Sequence, residues 1–389
     1  MRRWQWRLVV GWGVLAILAS LTPVRAQTNL TVNTTADGAD ILPGDGVCET
    51  DFGNRQCSLR AALQEAARFP DIASVIVPAG VYKLTLLEPL RISSRLQVLG
   101  AGAQQTVVQR RGSGRLLRVD PGAEAMVEDL TLEGGRVQGS SGGALENLGT
   151  LALRTTIVQR NRAERAPNGA GGDGGAILNR GTLTISATLL RANHAADDGG
   201  AILNQGRLEL INSTLSGNRA EGNGGAIANL TTTTTTPDLS LLATTIVDNQ
   251  AGGTGGALRT TGTATLRLTL LAHNQAGSSA NCSGVVTSAG SNLEDGRSCA
   301  FGSSDLSGFD ARLAPLGDYG GPTPTYALLT NSPALDRAPM EGCPATDQRG
   351  TARPQDGDGD GRVGCDIGAF ERIPDEQLRF ELWLPLVER

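Results

Sequence analysis

Aromatic residues are scarce in this chain of 389 residues, since Phe, Trp and Tyr together make up 3%. Any core must therefore be packed with aliphatic side chains. Lysine is nearly absent too: Lys83 is the only lysine among 34 basic residues, and the net charge is −5. A chain without a basic excess gives no electrostatic reason to expect nucleic acid as a partner. With two histidines and no Cys-x-x-Cys pair, it also lacks the usual pattern of a structural zinc site.

No apolar run is long enough to cross a bilayer, which takes ~20 residues in a helix. The run at residues 8–21 follows three arginines and precedes a small-residue site at 24–26, the pattern of a secretory signal peptide. We therefore expect residues 1–26 to be removed on export and the protein to be secreted or held at the cell surface. The apolar tail, residues 378–389, is also too short to span a membrane.

Six cysteines are an even number, which in an exported chain favours disulfides. Six cysteines allow 15 pairings. We expect pairing in sequence order, because each neighbouring pair brackets a Gly- or Asp-rich loop outside the repeats. The expected disulfides are Cys48–Cys57, Cys282–Cys299 and Cys343–Cys365.

Glycine, by contrast, is abundant with 52 residues, and much of it belongs to a repeat. The hexapeptide GGAILN occurs at 174–179 and again at 199–204, with variants beginning at Gly142, Gly224 and Gly255. The hexapeptides and the short aliphatic stretches that follow them both end in asparagine in most copies. One asparagine column contains Asn147, Asn179, Asn204 and Asn229, and the other contains Asn161, Asn193, Asn218, Asn249 and Asn274.

Segments of alternating polarity, such as GTLTISAT at 181–188, lie between these columns and are typical of strands. A strand that recurs once per repeat pairs with its own copy in the next repeat. We therefore predict an all-β protein, a right-handed parallel β-helix of the pectate-lyase-like kind. The asparagines are expected to form hydrogen-bonded ladders along the axis and to occupy left-handed corners.

The repeat resembles that of the polymorphic outer membrane proteins, which are surface β-helix adhesins. The resemblance covers residues 142–274, although Leu or Ile stands where that repeat usually has Phe. We do not expect the family's membrane-embedded barrel in this chain, so the resemblance implies the fold more than the function.

The heptapeptide CSLRAAL, residues 57–63, resembles the CSLREAI motif that opens many secreted bacterial β-helix proteins, with Ala61 in place of Glu. Ser58 is a plausible helix N-cap, and Pro70 would end the helix. We expect residues 27–70 to form a helical cap over the first rung and residues 71–300 to form the coil.

Residues 301–389 fit no repeat and resemble the terminal segment called choice-of-anchor Q, which implies an irregular C-terminal cap. Its four markers are Gly-Gly-Pro-Thr at 320–323, Ser-Pro-Ala-Leu-Asp at 332–336, Asp-Gln-Arg-Gly at 347–350 and Asp-Ile-Gly-Ala-Phe-Glu at 366–371. Members of that family are secreted or surface-exposed, and the resemblance implies no particular chemistry.

The acidic stretch DGDGDGRVGCD offers the clearest metal-site candidate. Asp356, Asp358 and Asp360 occupy positions 1, 3 and 5 of an EF-hand-like loop, with glycine at position 6. The Arg362 carbonyl and Asp366 would complete a Ca²⁺ site, although Asp366 lies one place early for a closing ligand. The alternative is a solvated acidic turn.

Catalysis on this fold would need clustered carboxylates. Asp173, Asp197 and Asp198 are the candidates, because Asp173 and Asp198 precede Gly-Gly in successive repeats. A solvated turn is the preferred interpretation. We expect a monomeric structural or adhesive protein without catalytic activity, which binds cell-surface glycans or proteins; the alternative is a polysaccharide lyase or glycoside hydrolase.

Overall fold

The computed structural model describes residues 28–69 and 71–373. The expected signal peptide (1–26), Pro70 and the apolar tail (378–389) lie outside the described residues. Within the described part, helix α1 (Leu59–Arg68) accompanies four stacks of parallel strands.

Sheets A and B have ten strands each. Sheet A contains Thr28–Thr31, Ile72–Val77, Leu96–Gly100, Glu124–Glu128, Thr150–Arg154, Thr182–Ser186, Arg207–Ile211, Asp238–Leu242, Thr263–Arg267 and Thr287–Ser288. Sheet B contains Gly80–Leu84, Thr106–Arg110, Thr131–Glu133, Ile157–Gln159, Leu189–Arg191, Thr214–Ser216, Thr245–Val247, Leu270–Ala272, Leu293–Glu294 and Leu306–Ser307.

Sheet C has eight strands and sheet D has five. Sheet C contains Leu90–Ile92, Leu117–Val119, Leu145–Asn147, Ile177–Asn179, Ile202–Asn204, Ile227–Asn229, Leu258–Thr260 and Cys282–Ser283. Sheet D contains Arg136–Gln138, Arg162–Glu164, His194–Ala195, Arg219–Ala220 and Gln250–Ala251.

Each strand pairs in register with its copy in the next rung, so that Ile177–Asn179 lies beside Ile202–Asn204. This stacking confirms the right-handed parallel β-helix. Its interior is aliphatic: Leu183 and Leu208, neighbours in sheet A, are both buried. Burying one such side chain contributes roughly 1.5–3 kcal/mol to the stability of the fold. Aliphatic side chains thus supply the stabilisation that aromatic residues supply in other cores.

The two glycines of each repeat serve different needs. Gly174 and Gly199, the first of each pair, have φ of 55° and 71°, where other residues are strained. A Cβ on the second glycine of the 199 repeat, Gly200, would lie 2.0 Å from the carbonyl oxygen of Gly225 one rung away. The pair is therefore required both by the turn and by the close approach of successive rungs.

The left-handed corners fall one residue earlier than expected. Arg160, Ala192 and His273 have φ of 53°, 52° and 55°, and each of them precedes a ladder asparagine. The ladder asparagines themselves have no positive φ among the described residues. The corner is therefore set by the backbone bend before the asparagine, whose side chain is free to point inward.

Helix α1 covers the open end of the coil. The side-chain oxygen of Ser58 accepts a hydrogen bond from the Ala61 N–H at 3.0 Å, as expected of an N-cap. Ala61 is fully buried, at the position where the resembling motif has Glu. Arg60, also buried, forms an ion pair of 2.7 Å with Asp37 and so ties the helix to the preceding loop.

The chain after the last rung folds back along the side of the coil. A hairpin at 313–328, here called the C-terminal hairpin, is closed by antiparallel bridges. It lies on the outer face of sheet B, where its Thr325 and Tyr326 hydroxyl groups contact those of Thr214 (2.9 Å) and Ser216 (2.7 Å). Gln348 Oε1 accepts a hydrogen bond from Thr214 Oγ1 at 2.7 Å, across 134 positions of sequence. The cap is thus a lateral buttress (residues 313–373) rather than a plug across the end alone.

Three disulfides fasten the parts that lie outside the repeats. They join the cysteines in sequence order: Cys48–Cys57, Cys282–Cys299 and Cys343–Cys365. Each closed loop is short, so each bond holds a cap or array end locally.

Candidate functional site

The residues before Gly-Gly form a column of polar side chains linked rung to rung. Asp173 accepts hydrogen bonds from Ser141 Oγ at 3.1 Å and from the Asp198 N–H at 3.2 Å. Asp198 Oδ1 accepts from the Asn223 N–H at 2.6 Å, and Asn223 Oδ1 accepts from the Thr254 N–H at 3.0 Å. Carboxylate, amide and hydroxyl thus fill equivalent positions. The carboxylates and the amide accept an N–H of the next rung, and the Thr254 hydroxyl donates to Asn223 Oδ1 at 3.0 Å.

Asp197 brings a third carboxylate to this column. One oxygen from each of Asp173, Asp197 and Asp198 lies within 4.8 Å of the others, and Arg165 pairs with Asp197 at 2.7 Å. Burial, followed by the charges of Asp197 and Asp198, raises the pKa of Asp173. A carboxyl group of raised pKa beside two others is chemically suited to holding a proton or a cation.

Both asparagine columns lie inside the coil as hydrogen-bonded ladders. In sheet C, side-chain bonds run from Asn147 to Asn179 (2.8 Å), Asn204 (2.7 Å) and Asn229 (2.7 Å). The second ladder is longer and continues to Asn281 beyond the predicted set. Its members are Asn161, Asn193, Asn218, Asn249, Asn274 and Asn281, joined by contacts of 2.9–3.0 Å.

The carboxylates that cluster at the acidic loop are not the set that the sequence predicts. Carboxylate oxygens of Asp336, Asp356 and Asp358 lie within 4.8 Å of one another, and Asp336 was not among the predicted ligands. Asp360 instead accepts the N–H of Arg362 at 2.8 Å.

Asp366, the expected closing ligand, is fully buried and points away from solvent. Its two oxygens accept the backbone N–H groups of Asp336 (2.9 Å) and Arg372 (2.6 Å). Burial, together with the charge of Glu371, raises its pKa well above the usual value. Asp366 therefore anchors the backbone of the buttress.

A buried ion pair holds this buttress together. Arg353 and Glu371 are both fully enclosed and lie 3.0 Å apart, and the Arg353 guanidinium also donates to the carbonyl oxygen of Gly368 at 2.7 Å. A second pair, Arg349 with Asp347, lies beside it at 2.9 Å. Arg349 also donates to the carbonyl oxygen of Tyr319 at 3.3 Å, which ties this network to the C-terminal hairpin.

Sequence reasoning missed a surface on the outer face of sheet B. Two columns of side chains point outward from its strands. One contains Val107, Thr131, Ile157, Leu189, Thr214, Thr245 and Leu270; the other contains Gln109, Glu133, Gln159, Arg191, Ser216, Val247 and Ala272. From Thr214 and Ser216 onward both columns are buried under the buttress, whereas Gln109 to Arg191 remain half-buried.

The two parts meet at a concave site that we call the seam pocket, with a cavity volume of about 240 Å³. Its lining includes Gln104, Ile157, Gln159 and Arg191 from the coil and Leu316 and Asp318 from the C-terminal hairpin. One feature of the sequence hints at this surface: along the second column the side chains change from Gln, Glu and Arg to Ser, Val and Ala. Which half the buttress covers could not be derived from that change alone.

No helix among the described residues is long and apolar enough to cross a membrane. The model of the Chlamydia polymorphic membrane protein repeat matches residues 212–230, which hold Asn218 and the hexapeptide GGAIAN. No curated protein and no solved structure shows significant similarity to the chain. The match covers about one repeat, so the chain is similar to that repeat family over a single rung.

Proposed function

We propose that this protein is an exported, surface-associated β-helix that binds other molecules and catalyses no reaction. The observation that carries the proposal is the use made of the best catalytic candidates: Asp173 and Asp198 accept backbone N–H groups of the next rung. A carboxylate that completes the turn hydrogen bonds is engaged in holding the coil together. Asn223 and Thr254 fill the same positions, and neither can act as a general acid or base at neutral pH.

The similarity to the polymorphic membrane protein repeat supports a place at the cell surface, as does the signal-peptide pattern at 1–26. A stack of rungs offers long flat faces, which suit extended partners such as surface glycans or proteins. The proposal also includes that the protein is secreted, that it acts as an adhesin and that it is a monomer.

The alternative is a carbohydrate-active enzyme, and it is favoured by the raised pKa of Asp173 beside two other carboxylates. The test is incubation of the mature protein with pectic and alginate polysaccharides, followed by assays for reducing ends and for unsaturated products. We expect retention on the immobilised polysaccharide without turnover.

Asp198→Asn is the decisive variant, because an amide already occupies this column at Asn223. It keeps an acceptor for the N–H of the next rung and removes the charge. Asp310→Asn, at an exposed turn, is the matched control. Product release that Asp198→Asn abolishes and Asp310→Asn preserves would establish the enzyme and overturn the proposal.

Calcium at the acidic loop is a second part of the proposal. Asp336, Asp356 and Asp358 are its ligands. Of the set predicted from the sequence, Asp356 and Asp358 are kept, and Asp336 replaces Asp360, Arg362 and Asp366. Carboxylate oxygens are the ligands Ca²⁺ prefers, and extracellular sites work at roughly 10⁻⁴–10⁻³ M. The role of the ion would be to offset the mutual repulsion of the three carboxylates.

A further inference from the structure

We propose that the seam pocket is a binding site for one acidic sugar unit, a hexuronate, within a polysaccharide chain. The inference rests on the proposed binding function and names the place and the ligand class. It comes from the juxtaposition of Arg191, Gln104 and Gln159 with an apolar floor at the boundary between coil and buttress.

The size of the site limits the ligand. Pockets for drug-sized ligands measure ~300–1,000 Å³, whereas this cavity is about 240 Å³. A single sugar ring is the natural occupant, with the rest of the polysaccharide running outside along the open part of sheet B. The walls come from rungs and hairpin that are more than 100 positions apart in sequence, so the site exists only when the buttress is docked.

The floor is apolar and the rim is polar, which is the combination that a pyranose ring requires. Ile157 is buried on the coil side, and Leu316 packs against it from the hairpin. Such aliphatic surface matches the C–H face of a sugar, while amides at the rim hydrogen-bond its hydroxyl groups. Gln104 and Gln159 supply those amides, and Gln104 is exposed at the mouth.

Arg191 gives the site its preference for an anion. Its Nε–H donates to Gln159 Oε1 at 2.8 Å, the only hydrogen bond of this guanidinium among the described residues. The terminal nitrogens are thus held in a fixed direction with donors to spare. A carboxylate can accept two parallel N–H bonds from such a fork, a geometry that neutral hydroxyl groups cannot match.

The neighbouring charges fit the same ligand. Glu133, the nearest acidic group in the column, forms an ion pair of 3.0 Å with Arg160 and so is already engaged. Burial, followed by the charge of Arg160, lowers the pKa of Arg191 although the charge of Glu133 opposes the shift, so a bound carboxylate would further stabilise the charged guanidinium. Asp318 on the hairpin wall is exposed and repels an anion, which orients the carboxylate toward Arg191 and the hydroxyl groups toward Asp318.

The test measures binding of trigalacturonate, its methyl ester and maltotriose to the mature protein by calorimetry. We expect binding of trigalacturonate that weakens with added salt, and at least tenfold weaker binding of the other two. Tenfold corresponds to about 1.4 kcal/mol. Equal affinity for all three sugars would overturn the assignment of Arg191 to a carboxylate.

Variants locate the site. Arg191→Gln should weaken trigalacturonate binding at least tenfold, and Arg191→Lys should recover only part of it, because an ammonium lacks the fork. Gln104→Tyr, at the exposed mouth, should block entry without disturbing the core. Arg207→Gln, an exposed arginine on sheet A, is the matched control and should bind like the wild type.

The outcomes separate this inference from the function on which it rests. Binding of trigalacturonate that is unaffected by Arg191→Gln and Gln104→Tyr would refute the seam pocket and leave the binding function standing. Retention on other glycans with no affinity for uronates would also refute the pocket alone. Turnover of any polysaccharide would instead overturn the proposed function.

Discussion

Replacing Asn204 by alanine should destabilise the coil more than any surface change of the same size. Asn204 is fully buried. Its Nδ2 donates to Asn229 Oδ1 at 2.7 Å, and its Oδ1 accepts from Asn179 Nδ2 at 2.7 Å. Asn179 would keep a bond to the Arg207 carbonyl oxygen, whereas Asn229 Oδ1 would lose its donor. An orphaned buried acceptor costs about 1–3 kcal/mol and each lost hydrogen bond about 0.5–1.5, so we expect about 3 kcal/mol in total.

The measurement is urea unfolding followed by circular dichroism, with the m-value checked for a common transition. Asn204→Thr should cost less, because Thr260 already ends this ladder, accepting from Asn229 at 3.0 Å. Asn168→Ala removes one exposed turn contact and is the control. If Asn204→Ala is no more destabilising than Asn168→Ala, the ladder contributes nothing beyond the backbone pairing.

Other predictions concern the two ends of the molecule. Glu371→Gln should destabilise the protein by about 3–5 kcal/mol in thermal or urea unfolding, because it leaves the buried Arg353 charge unpaired; a loss under 1 kcal/mol would contradict this. Asp40 is buried in the N-terminal cap, and burial raises its pKa from 3.8 to about 6. Because the folded protein favours the protonated carboxyl group, the cost of Asp40 is absent well below pH 3.8 and grows as the pH rises to 6. Asp40→Asn should therefore be more stable than the wild type by up to about 3 kcal/mol at pH 7 and by about 0.5 kcal/mol at pH 4. A difference in unfolding free energy that stays constant between these pH values would show that the carboxyl group is not responsible. Millimolar Ca²⁺ should raise the melting temperature, and Asp358→Ala or Asp336→Ala should remove most of that rise; an unchanged melting temperature in the wild type would leave the loop as an acidic turn.

The sequence by itself determined the coil. A repeat of about 25 residues brings each residue beside its own copy, so the pairing of Asn179 with Asn204 follows from periodicity once the segments are recognised as strands. The Gly-Gly positions follow in the same way, because successive copies of one turn approach each other closely. The backbone angles at the corners do not follow from the repeat. The left-handed residue is Ala192 rather than Asn193, because the backbone bends one residue before the ladder asparagine.

Only the tertiary structure decided where the C-terminal segment lies and what it creates. Thr214 and Gln348 are 134 positions apart, and no periodicity relates them. The spacing along the chain predicts Asp366 as a metal ligand, because it lies close in sequence to the acidic loop. Docking of the buttress instead buries its carboxylate against two backbone N–H groups. The seam pocket arises in the same way, since Arg191 and Leu316 become neighbours only through that docking. Local repetition encodes the stacking of identical rungs, whereas a contact between unlike surfaces depends on shape and burial that a single sequence does not display.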